Sequence, residues 1–229
     1  MRKVNVIKGD IVFQWKYGFY LLYALIILIY MIVFSFFERN VKNIIVSCCV
    51  FSDPAAMGMF FMGALILLEK SQHITNSIVI SPVTPMEYLF GKIISFAIIS
   101  EIVGIILIAQ GRTDNFFLSI VGILFGSIIF SMCGVIVGTR VESLNQYIIG
   151  TLPFEIVGFV PAIAYRIGFC HDNTLMLLHP GCASMRLIEG KTDMLPLALL
   201  SLVIWGILIF IIADKCVRKM YRYIGGVKL

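Results

Sequence analysis

Apolar residues run through this chain in long blocks, and polar residues gather in short clusters between them. The blocks at 18–37, 54–71, 85–109, 116–138, 147–165 and 195–213 each approach the roughly 20 residues that carry a helix across a bilayer. The pattern therefore predicts an all-α integral membrane protein, with six transmembrane helices in a single domain over residues 1–229. Ahead of the first block, Val4, Ile7, Ile11 and Trp15 recur at helical spacing, with Lys3, Asp10 and Gln14 turned away. That spacing predicts an amphipathic helix lying flat on the membrane surface, with Trp15 and Tyr17 at headgroup level. The first block is long for a signal peptide, and no small-residue cleavage motif follows it, so it is expected to stay as a span.

The interruptions are informative. Glu38 to Asn43 reads as a short polar loop, and Ile44 to Phe51 as a separate piece near the outer face. Asp53 precedes Pro54, a pairing that suits a helix cap followed by its first turn, so the second span is predicted to restart at Pro54. Thr84-Pro85-Met86-Glu87 has the form of a capping box, which starts the third helix inside a polar hairpin running from Glu69 to Lys92. The first two turns of that helix are expected to project from the membrane. In the fourth block Ser127, Ser131, Gly134 and Gly138 share one helical face and predict close packing against another helix. Gly122 and Gly126 form a second small pair on another side, which places this helix centrally. The fifth block holds Pro153 and Pro161 and is expected to be kinked or broken. Arg166 to Met194 reads as a long outer segment, partly re-entrant.

Composition agrees with the blocks. The chain is 60% apolar and 14% charged, against about half and a quarter in soluble domains. Its net charge of +5 would hint at nucleic acid until it is sorted by loop. Twelve of the 18 lysines and arginines then fall at the two termini, in the hairpin and in the turn after the fourth span, and six fall on the other side. This asymmetry predicts both termini in the cytoplasm, leaves nucleic acid without a role, and points to a multi-pass protein of the cell membrane.

Candidate chemistry is sparse. A phosphate-binding GxxxxGK loop is absent, because Met185 stands where Gly190-Lys191-Thr192 would need a glycine and Met86 does the same before Gly91-Lys92. His73, His171 and His179 have no companions at metal-ligand spacing, so neither metal nor catalytic residues are assigned. Among six cysteines, Cys48, Cys49, Cys133 and Cys216 read as small apolar residues. Cys170 and Cys182 share the outer segment, where an oxidising compartment would allow a disulfide. Three carboxylates fall within apolar blocks, where an ionised group costs about 3 kcal/mol or more and needs a partner or water. Asp53 is read as a helix cap or a pathway residue. Glu101, midway along the third span, and Glu155, beside Pro153 in the fifth, are read as lining a translocation pathway or as bonding to a neighbouring helix.

Glu69-Lys70, then Ser81-Pro82-Val83-Thr84 with Glu87-Tyr88 and Lys92, resembles the intracellular hairpin of ABC-2 type exporter permeases. Phe51-Ser52-Asp53-Pro54 is similar to the small six-span subgroup labelled fluoroquinolone export permease. The resemblance implies a membrane subunit that pairs with a second permease, alike or different, and docks a separate ATP-binding subunit. That subunit would hold ATP and magnesium, with no cofactor on this chain. Ser81, Pro82, Val83, Thr84, Glu87 and Tyr88 would then couple ATP hydrolysis to export of a small amphipathic molecule, drug or peptide. The rival reading is an ion- or proton-coupled carrier using Glu101 and Glu155, though no inverted repeat relates the halves. A lipid-processing enzyme lacks any paired nucleophile and base.

Overall fold

In the computed structural model, residues 2–53, 58–111, 113–169 and 174–225 are described, and among them all regular structure is helical. Helix α1 spans Arg2–Lys16, α2 Phe19–Ser35, α3 Arg39–Val50, α4 Gly58–Ser71 and α5 Ile74–Ile80. Helix α6 spans Pro85–Ile108, α7 Phe116–Gly138, α8 Leu144–Ile167, α9 Pro180–Ile188 and α10 Leu195–Ile224. Five helices of the described residues are long and apolar enough to cross a bilayer, or six when the bent pair α1–α2 counts as one.

Helix α7 is the axis of the bundle. It packs on α4, α6, α8, α9 and α10, and its small residues make that possible. A Cβ on Gly134 would lie 2.5 Å from the carbonyl oxygen of Met59, and one on Gly122 would lie 2.8 Å from the backbone nitrogen of Ile188. The predicted small-residue face thus packs within the chain, against α4, while the Gly122 side receives α9. Without a hydrophobic driving force between helices in lipid, such close backbone approach is what dispersion contacts require. Beside α7, Phe130 stacks on Phe159 of α8 at 4.8 Å, and Phe51 meets both rings edge-on. Outward, α2, α8 and α10 present Leu21, Leu28, Ile149, Val157, Leu200 and Ile207 as exposed side chains.

Several expectations change. Helix α1 turns into α2 at 63°, hinged at Gly18 with φ 77°. Its packing face is the reverse of the one predicted, since Asp10 and Gln14 are buried while Val4 and Trp15 are exposed. Polar partners on α6 hold the first pair, which frees the apolar face for lipid. The loop 38–43 is largely helical as the start of α3, because no glycine or proline stops it. Helix α3 continues into a π-helical turn at 51–53, and Val41–Ser71 counts as one stretch long and apolar enough to cross a bilayer, while the predicted separation of 44–51 from the second span and its restart at Pro54 rest on residues outside those described. Helix α8 is not broken: it runs through both prolines. Pro161 deprives the Val157 carbonyl of its helical donor, and the His179 side chain lies close to that carbonyl. The last helix continues past Ala213 to Ile224, so the basic tail is helical. At 30 residues it is about 45 Å long, well beyond the roughly 30 Å hydrocarbon core.

Candidate coupling site and membrane-buried carboxylates

The hairpin between α4 and α6 contains a helix that the polarity of its sequence concealed. His73 adopts φ 56° and turns the chain into α5. Ser81 closes that helix, donating from Oγ to the Ile78 carbonyl at 2.6 Å. Helix α6 then opens with the predicted capping box: the Glu87 N–H donates to Thr84 Oγ1 at 3.2 Å, and the Thr84 N–H donates to Glu87 Oε2 at 2.9 Å. Two orphan donors are satisfied reciprocally. On its inner side the hairpin packs Ile78 and Val83 against a cluster containing Val217 and Met220 of α10. On its outer side Asn76, Ser77, Pro82, Thr84 and Met86 are exposed, and Ile80 is 87% exposed.

Beneath the hairpin lies a buried ion cluster. The Lys92 ammonium, 1% exposed, pairs with both Asp10 of α1 and Glu69 of α4. Tyr88 is also buried, and its hydroxyl donates to Glu69 Oε2 at 2.8 Å. Gln14 Nε2 donates to Ser95 Oγ at 2.9 Å, tying α1 to α6 a turn further along. Tyr221 of α10 packs edge-on to the Tyr88 ring at 5.9 Å. Two carboxylates share one ammonium, so α1, α4 and α6 are bound by charge where water is excluded. Next in sequence, Lys70 donates to the carbonyls of Gly138, Thr139 and Val141 at 2.8, 3.0 and 2.9 Å. A cation there answers the orphan carbonyls and negative dipole end of α7.

Of the hairpin residues predicted to face a partner, Ser81, Pro82, Val83, Thr84 and Glu87 lie at the hairpin's surface or part-buried, whereas Tyr88 points inward. Sequence reasoning left Lys92 in the aqueous phase and missed its burial. The sequence carried little signal for it, since Asp10 follows Lys8 and Gly9 and Glu69 precedes Lys70, so neither acid stood out from its polar neighbours.

The intramembrane carboxylates are not brought together. Asp53 is buried beside Tyr30, and Ser52 donates to its Oδ1 at 3.4 Å. Glu101 lies on α6 in an apolar groove against α7. Glu155 lies on α8 beside the exposed Pro153, and α7 stands between α6 and α8. Cys182 is buried in α9, and its predicted pairing with Cys170 lies outside the described residues.

At the opposite end of the bundle a polar pocket of about 260 Å³ opens between α3, α8 and α9. Arg166 donates from Nε to Ser47 Oγ at 2.7 Å and pairs with Glu189, which also meets Lys191 at 3.0 Å.

Long apolar helices whose outward faces carry exposed leucine, isoleucine and valine, around a sealed ion cluster, define a multi-pass helical membrane protein. Residues 1–224 match the fluoroquinolones export permease protein family, and the chain belongs to that family, which is of ABC-2 type. It is similar to the fluoroquinolones export permease proteins of two Mycobacterium tuberculosis strains, CDC 1551 / Oshkosh and ATCC 25618 / H37Rv. Each is 23% identical to it over 148 residues, a stretch that covers 64% of this chain and 62% of the relative. The alignment thus spans less than two thirds of those relatives' length. No solved structure matches the chain.

Proposed function

We propose that this chain is the membrane-spanning subunit of an ATP-driven exporter, moving a small amphipathic molecule out of the cytoplasm. The observation that carries the reading is the hairpin from α5 to the start of α6. It is capped at Thr84, exposed at Ile80 and Pro82, and anchored through Tyr88 to the Glu69–Lys92–Asp10 cluster. A surface so anchored transmits a push to three helices at once, as a docking lever must. The chain has no phosphate-binding loop, so ATP and magnesium belong to a separate ATP-binding subunit docked on this hairpin. A second permease, identical or related, completes the transmembrane pathway. The twelve-to-six charge asymmetry supports a cytoplasmic position for both termini and the hairpin in the cell membrane.

Affinity capture of the tagged chain from its native membranes tests this reading. An ATP-binding subunit should co-purify, and Ile80→Asp together with Pro82→Asp should release it while the permease stays monodisperse. Retention of that subunit by the double variant would contradict docking at the hairpin. The carrier reading gains little support from the geometry, since Glu101 and Glu155 sit on helices that α7 separates.

A further inference from the structure

Helix α10 changes character along a single face. From Leu195 to Ala213 it carries no charge, a stretch of about 28 Å that matches the roughly 30 Å hydrocarbon core. Ile204, Leu208 and Ile211 are exposed there, and steps of three and four residues carry the same face on to Lys215, Arg218, Lys219 and Arg222, all exposed. Lys215 to Arg222 covers about 11 Å of helix, and the headgroup layer beside the core is about 5–8 Å thick. Helical side chains lean toward the N-terminus, which here is back toward the bilayer, so even Arg222 reaches that layer. The opposite side of these turns is occupied: Cys216, Val217 and Met220 are buried in the cluster against which Ile78 and Val83 of the hairpin pack. The cations therefore point away from the hairpin and extend the lipid-facing stripe. Their charge is largely unused within the fold. Asp214 is the single acid of α10 and accepts from Arg218 Nε at 2.7 Å, while Lys215, Lys219 and Arg222 have no ion-pair partner among the described residues. Arg140, just past the end of α7, donates to Cys216 Sγ at 3.1 Å and brings a fifth cation to these turns.

We propose that the emergent end of α10 is a binding surface for anionic phospholipids. Lys215, Lys219 and Arg222 receive the headgroup phosphates of the adjoining leaflet, and the acyl chains lie along Ile204, Leu208 and Ile211. Each lysine or arginine at an anionic membrane surface multiplies affinity about fivefold, and the arginine fork can hold two phosphate oxygens at once. A zwitterionic lipid carries its own cation beside the phosphate and so offers the surface no net charge. An acidic protein would have to enter the headgroup layer to reach the same groups. Because the hairpin packs on the other side of these turns, lipid held here steadies the wall against which the hairpin rests. The surface is defined whichever leaflet lies at this end; under the exporter reading it is the cytoplasmic one.

The test titrates the full chain, in uncharged detergent micelles, with phosphatidylglycerol or with phosphatidylcholine of identical acyl chains, and counts bound lipid by native mass spectrometry. Wild type is expected to hold phosphatidylglycerol at least about tenfold more tightly. The triple variant Lys215→Gln, Lys219→Gln, Arg222→Gln should lose that preference, whereas Lys8→Gln, Lys16→Gln, which removes two exposed cations of α1, should keep most of it. Equal binding of the two lipids by wild type, or an undiminished preference in the triple variant, would overturn the surface. Displacement of the lipid by millimolar inorganic phosphate would overturn it too, as the mark of a site for free anions. A triple variant that keeps the preference yet no longer captures an ATP-binding subunit would assign the patch to that protein instead. Should the triple variant aggregate, Lys219→Gln decides alone: several-fold weaker binding of phosphatidylglycerol is expected, and unchanged binding contradicts the proposal. Failure here leaves the exporter reading intact, and failure to capture an ATP-binding subunit with wild type leaves the lipid surface intact.

Discussion

The two ends of the bundle handle charge in opposite ways. At the end that holds α1, the hairpin and the last turns of α10, Asp10, Glu69 and Lys92 are sealed away from solvent. At the other end Arg166, Glu189 and Lys191 make a similar set of pairs around an open pocket, with Lys191 37% exposed. In the second set water reaches Lys191 and part of Arg166, which weakens their pairs, although Glu189 between them is itself buried. Water cannot reach the first, so removing one partner there strands a charge in a low-dielectric interior. The difference teaches where rigidity is placed. The sealed cluster fastens the surface helix and two spans into one body beneath the hairpin.

Substitutions can break that comparison. The largest effect is expected from Lys92→Met, which strands Asp10 and Glu69 and should cost about 3–5 kcal/mol, read by unfolding in mixed detergent micelles. The neutral triple variant Asp10→Asn, Glu69→Gln, Lys92→Met should recover most of the loss. A full-cost triple would show that shape rather than charge holds the cluster. Next comes Tyr88→Phe, which removes a hydrogen bond to a buried carboxylate and should cost about 1.5–3 kcal/mol by the same titration. Lys70→Met should follow at about 1–2 kcal/mol, because three carbonyls at and just beyond the end of α7 lose a donor. Local hydrogen exchange around Val137 to Arg140 should rise with it. Lys191→Ala at the open end should cost less than about 1 kcal/mol, and a loss as large as that of Lys92→Met would erase the distinction between the ends.

Much of the fold was legible because lipid leaves few alternatives. Apolar blocks of sufficient length become helices when every backbone group must bond internally, so α6 and α7 fall within a residue of their predicted bounds. The capping box at Thr84 was readable for the same local reason. What local pattern could not supply was pairing across the bundle. Asp10 looked like a water-facing residue of an amphipathic helix, and only the fold places Lys92 opposite it. Pro161 looked like a break, yet the helix runs through it. Helix α5 was hidden because its packing partner, the extended end of α10, lies some 140 residues further along the chain, beyond any local window. For the candidate site, the hairpin was found from its motif, whereas its anchorage was not.

The most direct test is transport by this chain in proteoliposomes, measured with and without the ATP-binding subunit that co-purifies with it. The account predicts substrate movement only when that subunit and hydrolysable ATP are both present, with loss of movement on Ile80→Asp/Pro82→Asp despite intact folding. Transport by the chain alone, driven by a proton gradient and abolished by Glu101→Gln, would contradict it.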